Sequence, residues 1–90
     1  MSDLRKYLDK QMEDPDFRAE HEATAAEYEV MRAVIMARTE ANLTQKELAE
    51  LSGVRQSNIS RIENGTSVPN IATLQALAQG MNKRLVISFE

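Results

Sequence analysis

The sequence predicts an all-α fold, a bundle of about five helices with a helical N-terminal arm and one β-strand at the C-terminal end. Three observations predict it. The chain is rich in Ala, Leu, Glu and Met and holds two prolines, three glycines, two Tyr, two Phe and no Trp in 90 residues, which suits helices better than a sheet sandwich. Apolar residues recur at i, i+3 and i+4 along much of it. Residues that start and stop helices fall between those stretches. A chain of this length folds as one compact domain with a small core, since only about two thirds of its surface is buried on folding.

Leu4, Tyr7, Leu8 and Met12 recur at helical spacing and predict a short amphipathic helix over Asp3 to Glu13. Asp14-Pro15 ends it, because proline disfavours the helical state in the residue before it. The same pair suits a new start, with Asp14 as cap and Pro15 in the first turn. From Phe17 through Tyr28, Met31, Val34 and Ile35 the apolar pattern keeps the helical period. It permits one long helix to Ala41 or two helices broken near Thr24. Asn42 follows as a left-handed terminator. Thr44-Gln45-Lys46-Glu47 is a capping box that opens the next helix, and Gly53 closes it. A helix from Gln56 to Asn64 is closed by Gly65. Asn70 caps the final helix, whose stripe is Ile71, Leu74, Leu77 and Ala78 and whose stop is Gly80. Leu85 to Glu90 is rich in β-formers and predicts a strand. A lone strand leaves its backbone groups unpaired, so it should pair with a second chain through Leu85, Ile87 and Phe89; the alternative is a tail packed on the helices.

Charge divides the chain. Its net charge is −3, but residues 1–29 hold nine acidic and four basic side chains, whereas residues 30–90 hold five acidic and seven basic. An acidic arm (1–25), a mildly basic domain (26–82) and a closing strand (83–90) are the expected divisions, the arm suiting a basic partner. Cysteine is absent, which excludes disulfides and thiol-ligated metal. Met1 to Met12 lacks the apolar core of a secretory signal, and the longest apolar run, Ala33 to Ala37, is too short to span a bilayer, so a cytoplasmic protein is expected. Enzyme chemistry lacks its parts: His21 is the lone histidine, and no phosphate loop or nucleophile motif is present. No catalytic residue, metal or cofactor is expected.

Two short helices joined by a tight turn containing Gly53 match the plan of a helix-turn-helix. Leu48, Ala49, Val54, Ile59 and Ile62 make its inward set, with Ala49 small enough for the helices to cross closely. Gln56, Ser57, Ser60 and Arg61 make the outward set, where side chains could meet base edges in a major groove. The runs Leu43-Thr44-Gln45-Lys46-Glu47-Leu48-Ala49, Ser52-Gly53-Val54 and Ile59-Ser60-Arg61-Ile62-Glu63-Asn64-Gly65, with Pro69 and Leu74, resemble the phage-repressor-type (Xre/Cro) helix-turn-helix family. The resemblance covers about residues 30–80 and implies a λ-repressor-like bundle that binds operator DNA as a dimer. It implies that Gln45 contacts phosphate, that Gln56, Ser57 and Arg61 read bases, and that Thr66 and Ser67 touch the DNA backbone. Arg55 stands where the family commonly has a capping Ser or Thr; it cannot cap in that way but could bind phosphate. With Lys46 and Ser60 these residues form the expected DNA-contacting set.

The acidic arm with Asp14-Pro15-Asp16-Phe17, the single helix-turn-helix and the apolar end together resemble the layout of the HigA-type antitoxins of bacterial toxin–antitoxin operons. That resemblance implies a small basic RNA-cleaving partner of the RelE/HigB kind and repression of the shared operon. Leu4, Tyr7, Leu8, Met12 and Phe17 are the expected anchors on the toxin, with the surrounding carboxylates matching its basic surface. Two other readings stand beside it: a stand-alone repressor, and an arm folded back on its own domain with Phe17 and Tyr28 as core.

Overall fold

The computed structural model describes the backbone of residues 15–90 and the side chains of residues 24–90. The expected helix at Asp3 to Glu13, with Leu4, Tyr7, Leu8 and Met12, lies outside the described residues, as do the side chains of Phe17 and His21. Among the described residues there are four helices: α1 (Pro15–Glu40), α2 (Gln45–Ser52), α3 (Gln56–Glu63) and α4 (Ile71–Gly80).

Helix α1 is continuous for 26 residues, through Thr24 and across the expected boundary between arm and domain. No glycine or proline interrupts it after Pro15, so nothing in the backbone forces a break. It ends as Asn42 takes φ 57°, with Leu43 N donating to Arg38 O (3.2 Å) and Asn42 N to Thr39 O (3.0 Å). This paired closure satisfies two terminal carbonyls and delivers Leu43 to the core. At the head of α2, Glu47 N donates to Thr44 Oγ1 and Thr44 N to a Glu47 carboxylate oxygen, each at 3.0 Å. Gly53 (φ 77°) ends α2, its N–H donating to Ala49 O at 3.0 Å.

Helix α3 starts at Arg55, which makes no side-chain capping bond, as its chemistry requires. Asn70 Oδ1 accepts from Thr73 N (2.8 Å) and starts α4. The expected stop at Gly80 is corrected: Gly80 is still helical, and Asn82 (φ 56°) is the left-handed residue that closes α4, Lys83 N donating to Ala78 O at 2.8 Å. Gly80 serves packing instead. A Cβ there would lie 2.9 Å from Ser52 Cβ and 3.0 Å from the Ser52 backbone, so α2 and α4 approach closely only because Gly80 has none.

The expected C-terminal strand, which was to pair with a second chain, is not formed within the single chain. Residues 83–90 take no regular secondary structure, because the described residues contain no extended segment to pair with them and β-propensity alone closes no ladder. Val86, Ile87 and Phe89 are exposed, Phe89 completely, while Leu85 is half-buried.

The core is small, as the length demands. Leu48, Ile59, Ile62 and Leu77 are almost fully enclosed and Val34 nearly so, ringed by Leu43, Ala49, Val54, Leu74 and Met81. Each enclosed side chain contributes about 1.5–3 kcal/mol. Helix α2 packs on both α3 and α4, and α3 packs on α1. An open groove of about 600 Å³ lies between α1 and α4, lined by Ala33, Val34, Leu74 and Leu77 and bordered by the C-terminal segment.

Replacing Gly80 by Ala tests the α2–α4 approach. Helix propensity alone would make the change favourable by about 1 kcal/mol. The collision with the Ser52 backbone should reverse that sign and lower stability by about 1–3 kcal/mol, read as a reduced urea midpoint.

Candidate nucleic-acid interface

Helices α2 and α3 are joined by Gly53, Val54 and Arg55. Leu48 on one and Ile59 and Ile62 on the other are buried together, with Ala49 and Val54 packed against them. That burial fixes which way α3 turns. Ile59 and Ile62 point inward, so Gln56, Ser57 and Arg61 on the other face are exposed, with Ser60 half-buried at its edge. Around this face Lys46, Arg55 and Thr66 are exposed, and Gln45 and Ser67 half-buried. Among the described residues the side chains of Lys46, Arg55, Gln56, Ser57 and Arg61 hold no hydrogen bond or ion pair. The arrangement presents three cations and two neutral donor–acceptor side chains on one exposed ridge. A ridge of that kind suits phosphates at its margins and base edges at its crest.

The loop after α3 is tightly organised. Gly65 (φ 82°) reverses the chain, and Thr66 N donates to Arg61 O at 2.9 Å. Thr66 Oγ1 donates to Asn64 Oδ1 at 2.8 Å. Thr66 and Ser67 thereby sit directly beyond the C-terminal end of α3.

Behind the ridge lies a polar contact absent from the sequence-based expectations. Arg38 grips Glu63 with two hydrogen bonds, Nε to Oε2 at 2.7 Å and Nη2 to Oε1 at 2.8 Å. Its remaining Nη1 donates to Leu43 O at 2.9 Å. Gln45 Nε2 donates to Glu63 Oε1 at 3.2 Å. The Glu63 side chain is 7% exposed and that of Arg38 17%. One carboxylate thus ties α3 to the last turn of α1 and the first turn of α2. Its sequence signal was helical spacing: Arg38 lies four residues after buried Val34, and Glu63 four after buried Ile59, so both charges point inward. Inward charges of opposite sign should meet.

Burial pushes the Glu63 carboxyl up, but hydrogen bonds from Arg38 and Gln45, together with the Arg38 charge, outweigh it and hold it below the usual carboxylate range. The hydrogen bond to Glu63 raises Arg38, against the opposing effect of burial. Hydrogen bonds from the Thr44 backbone and side chain lower Glu47. The contact between Lys83 and Glu40 (3.5 Å) is exposed and contributes little. Among the described residues no group of acidic or histidine side chains could hold a metal ion.

Comparison with known proteins agrees with this geometry. A model of the helix-turn-helix family matches residues 34–87. Antitoxin HigA1 of Mycobacterium tuberculosis is 34% identical over 77 residues, covering 86% of this chain and 52% of that protein. An uncharacterized HTH-type transcriptional regulator of Haemophilus influenzae is 38% identical over 58 residues, 64% of this chain and 59% of its own. A further uncharacterized HTH-type transcriptional regulator, y4dL of Sinorhizobium fredii, is 36% identical over 52 residues, 58% of this chain and 26% of its own. The chain therefore spans about half the length of the antitoxin it matches. No solved structure gives a significant match.

The Glu63 contact makes a pH-dependent prediction. Because folding lowers the Glu63 pKa, the contact stabilises fully above the unfolded carboxyl range and is lost as pH falls through and below it, about pH 4 and under. Arg38→Met should cost about 2–4 kcal/mol at neutral pH by stranding the carboxylate. The difference between parent and variant should shrink at acidic pH, where Glu63 is protonated in both. Urea unfolding across the acid range measures it.

Proposed function

The chain belongs to the helix-turn-helix family, and from that premise we propose that it is a dual-role antitoxin that represses its own operon and neutralises an RNA-cleaving toxin of the RelE/HigB kind. The observation that carries this reading is the extent of the antitoxin likeness. A match over 86% of the chain is not confined to the helix-turn-helix domain and reaches into the acidic arm. A DNA-binding domain alone has no use for such an arm, whereas a small basic partner has.

DNA recognition falls to the ridge. Gln56 pairs with adenine and Arg61 with guanine in the major groove, with Ser57 and Ser60 beside them. Gln45, Lys46, Arg55, Thr66 and Ser67 bind phosphates and set the register. The exposure of Lys46, Arg55, Gln56, Ser57, Arg61 and Thr66, and the absence of side-chain partners for the first five of them, support the assignment. Leu85, Ile87 and Phe89 supply a dimer contact, a role supported by the exposure of Ile87 and Phe89. Leu4, Tyr7, Leu8, Met12 and Phe17 anchor the toxin, their acidic neighbours matching its charge. Among the described residues no helix is long and apolar enough to cross a membrane, and the work of the protein lies in the cytoplasm with operator DNA. The second reading, a stand-alone repressor, is favoured by the shorter match to the Haemophilus influenzae regulator.

Two measurements separate these readings. On DNA from upstream of its own gene, Arg61→Ala and Gln56→Ala should each weaken binding by about 1–3 kcal/mol and relax sequence preference, against a background that falls steeply with salt. Removing residues 1–14, which leaves α1 whole, should abolish capture of the protein encoded by the neighbouring gene while operator binding survives. If co-expression yields only a homodimer and no small basic protein, the stand-alone repressor is the correct account.

A further inference from the structure

The loop that follows α3 contains a bond with chemistry of its own. Asn64–Gly65 is the one Asn–Gly step in the chain. In such a step the backbone nitrogen of the glycine can attack the side-chain amide carbon of the asparagine. A C–N bond forms, ammonia leaves, and the five-membered succinimide that results is opened by water to aspartate or isoaspartate. Glycine favours the attack because it has no Cβ to obstruct it. Both residues are exposed, so water reaches the ring and no other reactant is needed.

The folded loop withholds this reaction. Gly65 N, the attacking atom, donates to Ile62 O at 3.2 Å. Asn64 Oδ1 accepts from Thr66 Oγ1 at 2.8 Å and from Thr66 N at 3.2 Å. Thr66 also ties the loop back to Arg61 O, through N at 2.9 Å and Oγ1 at 3.3 Å. None of residues 64–66 is buried, so only these hydrogen bonds resist a local opening, and local openings of exposed loops are cheap compared with global unfolding.

We propose that Asn64–Gly65 is a self-modification site, restrained by Thr66, whose conversion turns a neutral side chain on the DNA-facing loop into a carboxylate and retires the protein from DNA. The effect on DNA rests on the DNA-binding reading above; the conversion does not. A new negative charge beside Arg61, Thr66 and Ser67 opposes phosphate directly. Operator binding should weaken roughly three- to tenfold at low salt, less as salt rises. The isoaspartate product also lengthens the backbone by one methylene at a reverse turn that the φ of Gly65 makes tight.

The test keeps the full chain at mildly alkaline pH and body temperature for days and maps its peptides by mass spectrometry. Asn42, Asn58, Asn70 and Asn82 serve as internal references. The expected result is conversion at Asn64 severalfold ahead of all of them, faster still in Thr66→Val, and restored to the parent rate in Thr66→Ser. Conversion at Asn64 no faster than at the references, or unchanged in Thr66→Val, overturns the proposal. A thermal melt shows whether each variant folds; should Thr66→Val not fold, the parent chain in urea takes its place, and equal rates folded and unfolded overturn the restraint. Asn64→Asp then reports the consequence: unchanged operator affinity at low salt overturns the loss of DNA binding. If the parent chain binds no upstream DNA at any salt, the DNA-binding reading fails, while the peptide map still decides the chemistry.

Discussion

A nearly buried carboxylate must find compensation, and in this fold the place where Glu63 finds it is the meeting point of α1, α2 and α3. Arg38 supplies a planar, two-bonded grip that a lysine could not reproduce. The same guanidinium holds the Leu43 carbonyl, so the turn between α1 and α2 is fastened by the group that fastens α3. Apolar burial alone would bring these helices together without specifying their angle closely, since hydrophobic contact has no direction. Hydrogen bonds have direction. The orientation of the exposed ridge on α3 is therefore set from behind by a charged group that takes no part in the ridge itself. Gln45 is half-buried for the same reason: its amide serves the Glu63 carboxylate from the first turn of α2.

Much of this architecture was legible in the sequence because it is written in local chemistry. The Thr44–Glu47 box, the left-handed Asn42, Gly53 and Gly65 and the cap at Asn70 each depend on a few neighbouring residues, and each is formed. The inward set of Leu48, Ile59 and Ile62 followed from helical spacing, and with it the outward set, because one face of a helix implies the other. What depended on distant partners was hidden. Gly80 reads locally as a terminator, yet its missing Cβ matters to Ser52, far away in the chain. Arg38 and Glu63 lie 25 residues apart, and helical spacing, which turns each of them inward, does not by itself name the other as partner. The β-forming end of the chain showed propensity, which is legible, but a strand needs pairing, which is not a property of one segment.

A similar economy governs the core. Few residues are fully enclosed, and the helices that carry them are short, so isolated segments of this length would not hold their shape in water. Capping, close approach at Gly80 and the Glu63 contact each remove an unsatisfied group or a gap that so small an interior could not tolerate. Polar precision takes the place of apolar bulk.

The unbroken run of α1 carries a last consequence. Twenty-six helical residues extend about 39 Å, and Val34, in the half nearer Arg38, is the residue that this helix places in the described core. With no hinge at Thr24, the backbone at residue 17 keeps a fixed angular phase with respect to Arg38, and through Glu63 with respect to α3. Lengthening the helix by a single residue would turn the helical residues before it by about 100° and advance them by about 1.5 Å. The helix start at Pro15 is thus held at a set bearing and distance from the ridge, as a pointer is held by its shaft.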